Sequence, residues 1–236
     1  MNLLAFETST ENCSAAALRD DGEVFSINEE APQKHAELIL PMADRVLEMA
    51  GLEKADLDGI VYGKGPGSFT GVRIAASTAQ GYAQALNLKC AGVSSLEALA
   101  MQALYGTDES CAVASIDARM GEVYVAVYER TGKYPKALLE PCVLKPDDAV
   151  QAVSSALGAH GAYAGGTGTE ILYAAGLNRN IVKRSQFPDG EFIVKLGKVL
   201  FDEGRTVDAA QALPLYVRDE VAWKKIPQQH PERPLA

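Results

Sequence analysis

Three stretches of the chain join residue types that could hold a phosphate. Glu7-Thr8-Ser9-Thr10 sets a carboxylate beside three hydroxyls at the end of an apolar run. Hydroxyls and exposed amides in such a turn bind phosphate oxygens, and the acid orders a hydrated magnesium ion. The same residues also suit an ordinary polar turn, in which Thr, Ser and Asn12 bond their own backbone. Gly165-Gly166-Thr167-Gly168 would bring a second loop to the same ligand, so Thr8, Ser9, Gly165 and Gly166 are the candidate nucleotide contacts. The third stretch is Gly63-Lys64-Gly65-Pro66-Gly67-Ser68-Phe69-Thr70-Gly71. It follows a strand and opens a helix, a setting in which backbone amides cradle an anion. Lys64 precedes the loop instead of following it, unlike a Walker A lysine, and Pro66 removes an amide. The string is therefore read as a tight turn that brings a helix close to a sheet.

Other chemistry has little material. The chain holds three histidines (His35, His160, His230) and four cysteines (Cys13, Cys90, Cys111, Cys142), with no C-x-x-C and no H-E-x-x-H. No metal site is expected, and the thiols are expected to be reduced and mostly buried. Serine, histidine and acid do not assemble into a triad from sequence alone. With 236 residues, 47% hydrophobic and 22% charged, the composition is that of a folded globular protein. No apolar run is long enough to span a bilayer, and the start of the chain lacks the basic and apolar regions of a signal peptide. A cytoplasmic protein without a membrane partner is expected. The net charge of −9 argues against gripping nucleic acid alone, because phosphate neutralisation drives that binding.

The elements that must position these residues repeat. Short strands are expected over 3–6, 13–18 and 24–27, a helix over 34–50 closed by Gly51, a strand over 59–63, a helix over 68–86 and a strand over 88–93. Ser94-Ser95-Leu96-Glu97 fits a capping box opening the next helix. A similar order then begins again: strands over 111–116, 122–128 and 134–139, a helix from Pro146 to about residue 157, a strand at 163–164 and a short helix from Glu170. This predicts an α/β protein of two duplicated ribonuclease H-like lobes, the plan shared by actin, Hsp70 and sugar kinases. The lobes are expected at 1–106 and 107–213, with 214–236 as a C-terminal segment and tail.

Two helices carry more apolar surface than one sheet needs. On a 100° wheel, Ala36, Ile39, Leu40, Ala43, Val46, Leu47 and Ala50 form one stripe of the first helix. Leu38, Met42 and Met49 form a second, bordered by Arg45. The second helix has Arg73 as its only charge over 68–86, and the side opposite its expected core carries Phe69, Thr70, Arg73, Ala76, Ser77 and Gln80. Burial between the lobes would explain both faces. Charge depletion with small side chains points instead to a helical partner interface built from these ten residues.

Several strings together resemble the TsaB, or YeaZ, family: Leu4-Ala5-Phe6-Glu7-Thr8-Ser9-Thr10 with Cys13-Ser14; His35-Ala36-Glu37-Leu38-Ile39-Leu40-Pro41-Met42; Gly65-Pro66-Gly67-Ser68-Phe69-Thr70-Gly71-Val72-Arg73-Ile74; Gly92-Val93-Ser94-Ser95-Leu96-Glu97; Ile116-Asp117-Ala118-Arg119-Met120-Gly121-Glu122; and Pro214-Leu215-Tyr216-Val217-Arg218. The resemblance implies the actin-like fold and a non-catalytic scaffold subunit in synthesis of threonylcarbamoyladenosine on tRNA, next to the anticodon. The implied partners are the catalytic paralogue TsaD and the P-loop ATPase TsaE. It also implies a homodimer through the same helices when the chain is alone, and contact with tRNA only through the complex. The catalytic paralogue carries a metal-binding His-x-x-x-His pair, whose spacing puts both rings on one helix face. The positions matching it here are Ser95 and Leu99, so no catalytic residue, metal or required cofactor is expected. Glu7 also stands where the wider fold more often has Asp, and its extra methylene would displace a magnesium-ordering carboxylate. The alternative is an ATP-binding protein, a weak ATPase or phosphotransferase using Thr8, Ser9 and the 165–168 loop.

Overall fold

The computed structural model describes residues 1–132 and 134–217. Arg218, the segment around Trp223 and the tail from Pro227 lie outside the described residues. Strand β1 (Leu3–Glu7) runs antiparallel to β2 (Asn12–Leu18), which runs antiparallel to β3 (Val24–Glu30). Helix α1 (His35–Ala50) follows. Then β4 (Gly59–Gly65) lies parallel to β1, and helix α2 (Phe69–Leu86) leads to β5 (Lys89–Ser94), parallel to β4. The sheet order is β3-β2-β1-β4-β5.

Helix α3 (Ser95–Leu104) crosses to a second copy of this plan. Its capping box forms as read: Ser94 Oγ accepts from the Leu96 amide (3.3 Å), and Glu97 Oε2 accepts from the Ser94 amide (3.1 Å). Strands β6 (Cys111–Arg119), β7 (Glu122–Thr131) and β8 (Tyr134–Leu144) form a meander, followed by helix α4 (Pro146–Leu157). Strand β9 (Ala162–Gly165), helix α5 (Thr169–Ala174) and strand β10 (Val182–Ser185) complete the second sheet, in the order β10-β9-β6-β7-β8. Counted from the first strand of each half, both sheets read third-second-first-fourth-fifth. This is the duplicated lobe of the actin-like fold.

Strand β1 is buried on both faces, as a central strand covered by helices on either side should be. Leu4 and Phe6 face the core shared with α1 and α2, whereas Leu3 and Ala5 face the opposite core. That second core is closed by helix α6 (Gly190–Asp202), which the sequence reading did not place. Its marks are in the sequence: Asp189 caps it by accepting from the Glu191 amide, and Ile193, Leu196, Gly197 and Leu200 recur at helical spacing. A Cβ on Gly197 would lie 2.3 Å from Val61 Cγ1, so the helix lies directly on β4. Val207 then bridges to Cys90 at the edge of β5. Residues 190–212 therefore pack on the first sheet, whereas a division of the lobes at 213 would assign them to the second.

Candidate functional site

Two surfaces deserve a functional reading, a cleft between the lobes and a groove on the outside of the first. The cleft holds a cavity of about 480 Å³ between the β1–β2 turn, the β6–β7 strands and the N-terminal ends of α1 and α2. The glycine string forms its floor. A Cβ on Gly67 would lie 2.2 Å from Ser9 O, and one on Gly71 would lie 2.0 Å from Thr8 O. The start of α2 thus rests on the backbone of the β1–β2 turn, held by the Ser68 amide donating to Ser9 O (2.7 Å) and Thr8 Oγ1 donating to Gly71 O (2.7 Å). This is the tight strand-to-helix turn read from the sequence. Gly71→Ala is expected to destabilise the fold by about 2–3 kcal/mol, because backbone must move and the helix-propensity gain of about 1 kcal/mol is smaller. Urea denaturation measures it.

The candidate nucleotide contacts separate. Only Ser9 lines the cavity. Thr8 is buried with its hydroxyl committed to Gly71. Gly165 packs against Ser185 and Leu99, and Gly166 against the Ser115 carbonyl; in the same loop Thr167 does line the cavity, its Oγ1 accepting from the Asp117 amide at 3.0 Å. The tips of the two hairpins meet directly: Arg119 pairs with Glu11 across the lobes at 2.7 Å and with Asp117 of its own strand at 3.0 Å.

Glu7 does not face the cavity. Its carboxylate is fully buried, accepting from the Ser9 amide (2.5 Å) and from Ser95 Oγ (2.8 Å), and it lies so close over Gly63 that a Cβ there would meet Oε2 at 1.9 Å. The position that would order a magnesium ion is thus an interior link between β1 and α3. Leu99, the other position of the absent histidine pair, is buried in the core between α3 and β6. Among the described residues no three His, Cys, Asp or Glu side chains come together.

Burial raises the Glu7 pKa above its ordinary 4.5, against the lowering effect of its Ser9 and Ser95 hydrogen bonds. The folded state therefore holds this proton more tightly than the unfolded chain. Its contribution to stability is full below pH 4.5 and is lost as pH rises through the folded-state value. Glu7→Gln keeps the shape, the acceptor for Ser9 and a donor for Ser95. It is expected to raise the melting temperature at neutral pH and to remove that part of the pH dependence, read by calorimetry across pH 4–8.

The groove lies between α1 and α2 on the solvent side. Leu40 is 50% exposed, Phe69 is 68% exposed, and Ala36, Thr70, Ser77 and Gly81 are exposed. Two adjoining depressions along these helices share Leu40, Ser77 and Thr78. Arg73 closes one end, its guanidinium 3.3 Å above the Phe69 ring and donating to Phe69 O (2.7 Å). A Cβ on Gly81 would meet nothing within 4 Å, so nothing in this chain requires glycine there.

The ten residues read as the interface divide accordingly. Phe69, Thr70, Arg73 and Ser77 line the groove. Met42 and Ala76 are buried in the core of the first lobe, at 6% and 3% exposure. Leu38, Arg45 and Met49 do not line the groove; Leu38 packs partly on the core, whereas Arg45 and Met49 are exposed. Gln80 is held by donating to Ala212 O (3.0 Å). Helix α1 is rotated relative to the sequence reading: its buried face is His35, Ile39, Met42, Ala43, Val46, Leu47 and Ala50, which leaves Ala36 and Leu40 outside. Leu40 and Gly81 were missed as groove residues because the wheel put Leu40 in the core stripe and glycine has no apolar side chain to register.

Comparison with known proteins agrees with this architecture. Residues 27–189 match a family model described as TsaD, tRNA N6-adenosine threonylcarbamoyltransferase. The tRNA threonylcarbamoyladenosine biosynthesis protein TsaB of Escherichia coli is 37% identical, over 96% of this chain and 99% of its own length. The protein of the same name from Haemophilus influenzae is 35% identical over 96% and 98%. The solved structure of YeaZ from Pseudomonas aeruginosa superposes with a TM-score of 0.84 at 36% identity, covering 91% of this chain and 99% of that one. Likeness of that extent, in sequence and in both lobes, means that the chain belongs to the TsaB (YeaZ) family.

Proposed function

We propose that this chain takes part in tRNA threonylcarbamoyladenosine synthesis as a non-catalytic subunit, and that it docks a TsaD-type catalytic relative in the α1–α2 groove. The observation that carries the reading is the groove itself. Leu40 and Phe69 stand exposed beside small residues, and α2 carries one charge, Arg73, already stacked on Phe69. A charge-poor surface with aromatic and arginine anchors matches the core of a protein interface. Small side chains at Ser77 and Gly81 leave room for a partner helix to approach closely.

The cleft supports the non-catalytic half of the reading. Glu7 points inward, the hairpin tips are tied to each other, and Ser95 and Leu99 are built into the interior. The net charge of −9 favours tRNA contact through the partner. In this reading two copies pair through the same groove when the partner is absent. A P-loop ATPase joins the assembled pair, and the complex works in the cytoplasm. Among the described residues no helix is long and apolar enough to cross a membrane. Reconstitution tests the proposal. The chain, its TsaD-type relative, the ATPase, the threonylcarbamoyl donor and tRNA should yield modified adenosine, and omitting this chain should stop it. Full modification without this chain would overturn the scaffold role, and turnover of Mg-ATP by the chain alone would overturn its non-catalytic status.

A further inference from the structure

The positive ends of two long helices open on the same cavity. Pro32, Gln33 and His35 at the start of α1, and Gly67, Ser68 and Phe69 at the start of α2, line it together. Neither helix is fully capped. Lys34 at the cap of α1 offers no side-chain acceptor, and Ser68 Oγ at the cap of α2 takes only the Gly71 amide, at 3.4 Å. The amides of His35, Ala36, Phe69 and Thr70 therefore have no acceptor among the described residues. Helices of 16 and 18 residues concentrate positive potential at these ends, and the first turn of α2 carries no acid to offset it.

Two buried side chains at the same place also lack partners. Ser9 is fully buried and His35 is 8% exposed; Ser9 Oγ and His35 Nε2 make no hydrogen bond, and both residues line the cavity. Ser9 is fixed beside the α2 terminus, because its carbonyl accepts the Ser68 amide and its Cβ would lie 2.7 Å from a Cβ on Gly67. Unsatisfied buried polar groups are costly, and a pair of them at convergent helix termini calls for a ligand that accepts hydrogen bonds. The two carboxylates of the cavity, Glu11 and Asp117, are both engaged by Arg119.

We infer that this end of the cleft binds a small oxyanion, a phosphate or carboxylate group, held by the N-termini of α1 and α2 with Ser9 and His35. The arrangement does not use the positions expected for a nucleotide, since Thr8, Gly165 and Gly166 do not line the cavity. It also goes beyond the docking role, because the α1–α2 groove and the partner play no part in it.

The test is an amide NMR titration of the full chain with inorganic phosphate and, separately, with acetate, at constant ionic strength against chloride. Saturable shifts confined to the amides of His35, Ala36, Phe69 and Thr70 are expected with at least one probe, and the tighter probe identifies the group as phosphate or carboxylate. Ser68→Asp keeps a good helix cap while placing a fixed negative charge at the site. It is expected to weaken the response about tenfold or more with the remaining spectrum unchanged. Ser9→Ala, which deletes a buried hydroxyl that has no partner, is a second variant expected to stay folded and to bind more weakly. Shifts that grow linearly without saturating for both probes, or saturable binding undiminished in both variants, would overturn the inference.

Discussion

Replacing Ser77 with arginine will abolish pairing with the catalytic relative while leaving the chain folded. Ser77 is exposed at the junction of the two depressions that form the groove. An arginine there fills the space a partner helix would enter and brings a charge that binding would have to desolvate. Together these should cost about 3 kcal/mol or more, over a hundredfold in Kd. Within the chain the change is mild, because arginine is a better helix former than serine and the position touches no core residue, so stability should move by no more than about 0.5 kcal/mol. Sedimentation velocity of the mixed proteins, with melting of the variant alone, reads both effects. An intact heterodimer with Ser77→Arg would remove the groove from the interface.

Met42→Glu, three positions before Arg45 on α1, is expected to lose pairing for a different reason. Met42 is 6% exposed and packs within the cluster that joins β1, β2, α1 and α2. The substitution gives up buried apolar surface and places a carboxylate where no cation is paired with it. A loss of about 5 kcal/mol is expected, comparable with the whole stability of a domain. Circular dichroism and urea titration should show a chain that is largely unfolded, or unfolds at much lower denaturant. Ala76, at 3% exposure on α2, should behave alike when replaced by arginine. A pairing assay alone would confuse these core positions with Ser77; the melting measurement separates them.

The contrast between Ser77 and Met42 marks how far sequence reasoning reaches. Periodicity gives the angles between residues on a helix, but not the direction in which the sheet lies. Helix α1 has apolar residues around much of its circumference, so a wheel that buried Leu40 and exposed Met42 was as consistent with the pattern as the reverse. Two neighbouring elements settled it: β2 and β3 on one side and α2 on the other leave Ala36 and Leu40 outside.

What the sequence determined by itself is the local structure and the duplication. Hairpin turns, the Ser94–Glu97 capping box, the Gly51 stop and the close turn at Gly67 and Gly71 each depend on residues a few positions apart, and each formed as read. The absence of a histidine pair at Ser95 and Leu99 was equally legible, since it concerns residue type alone. Only the tertiary structure decided the rest. Glu7 turns inward because Gly63 leaves room for its carboxylate and Ser95, 88 residues away, supplies a donor. Helix α6 returns to the first sheet because β1 and β4 have a second apolar face to bury. The cleft joins the starts of two helices to a buried serine and histidine because the β1–β2 turn is wedged beneath α2. These are contacts between residues distant in the chain, fixed by the packing of sheets and helices against one another, and no local pattern encodes them.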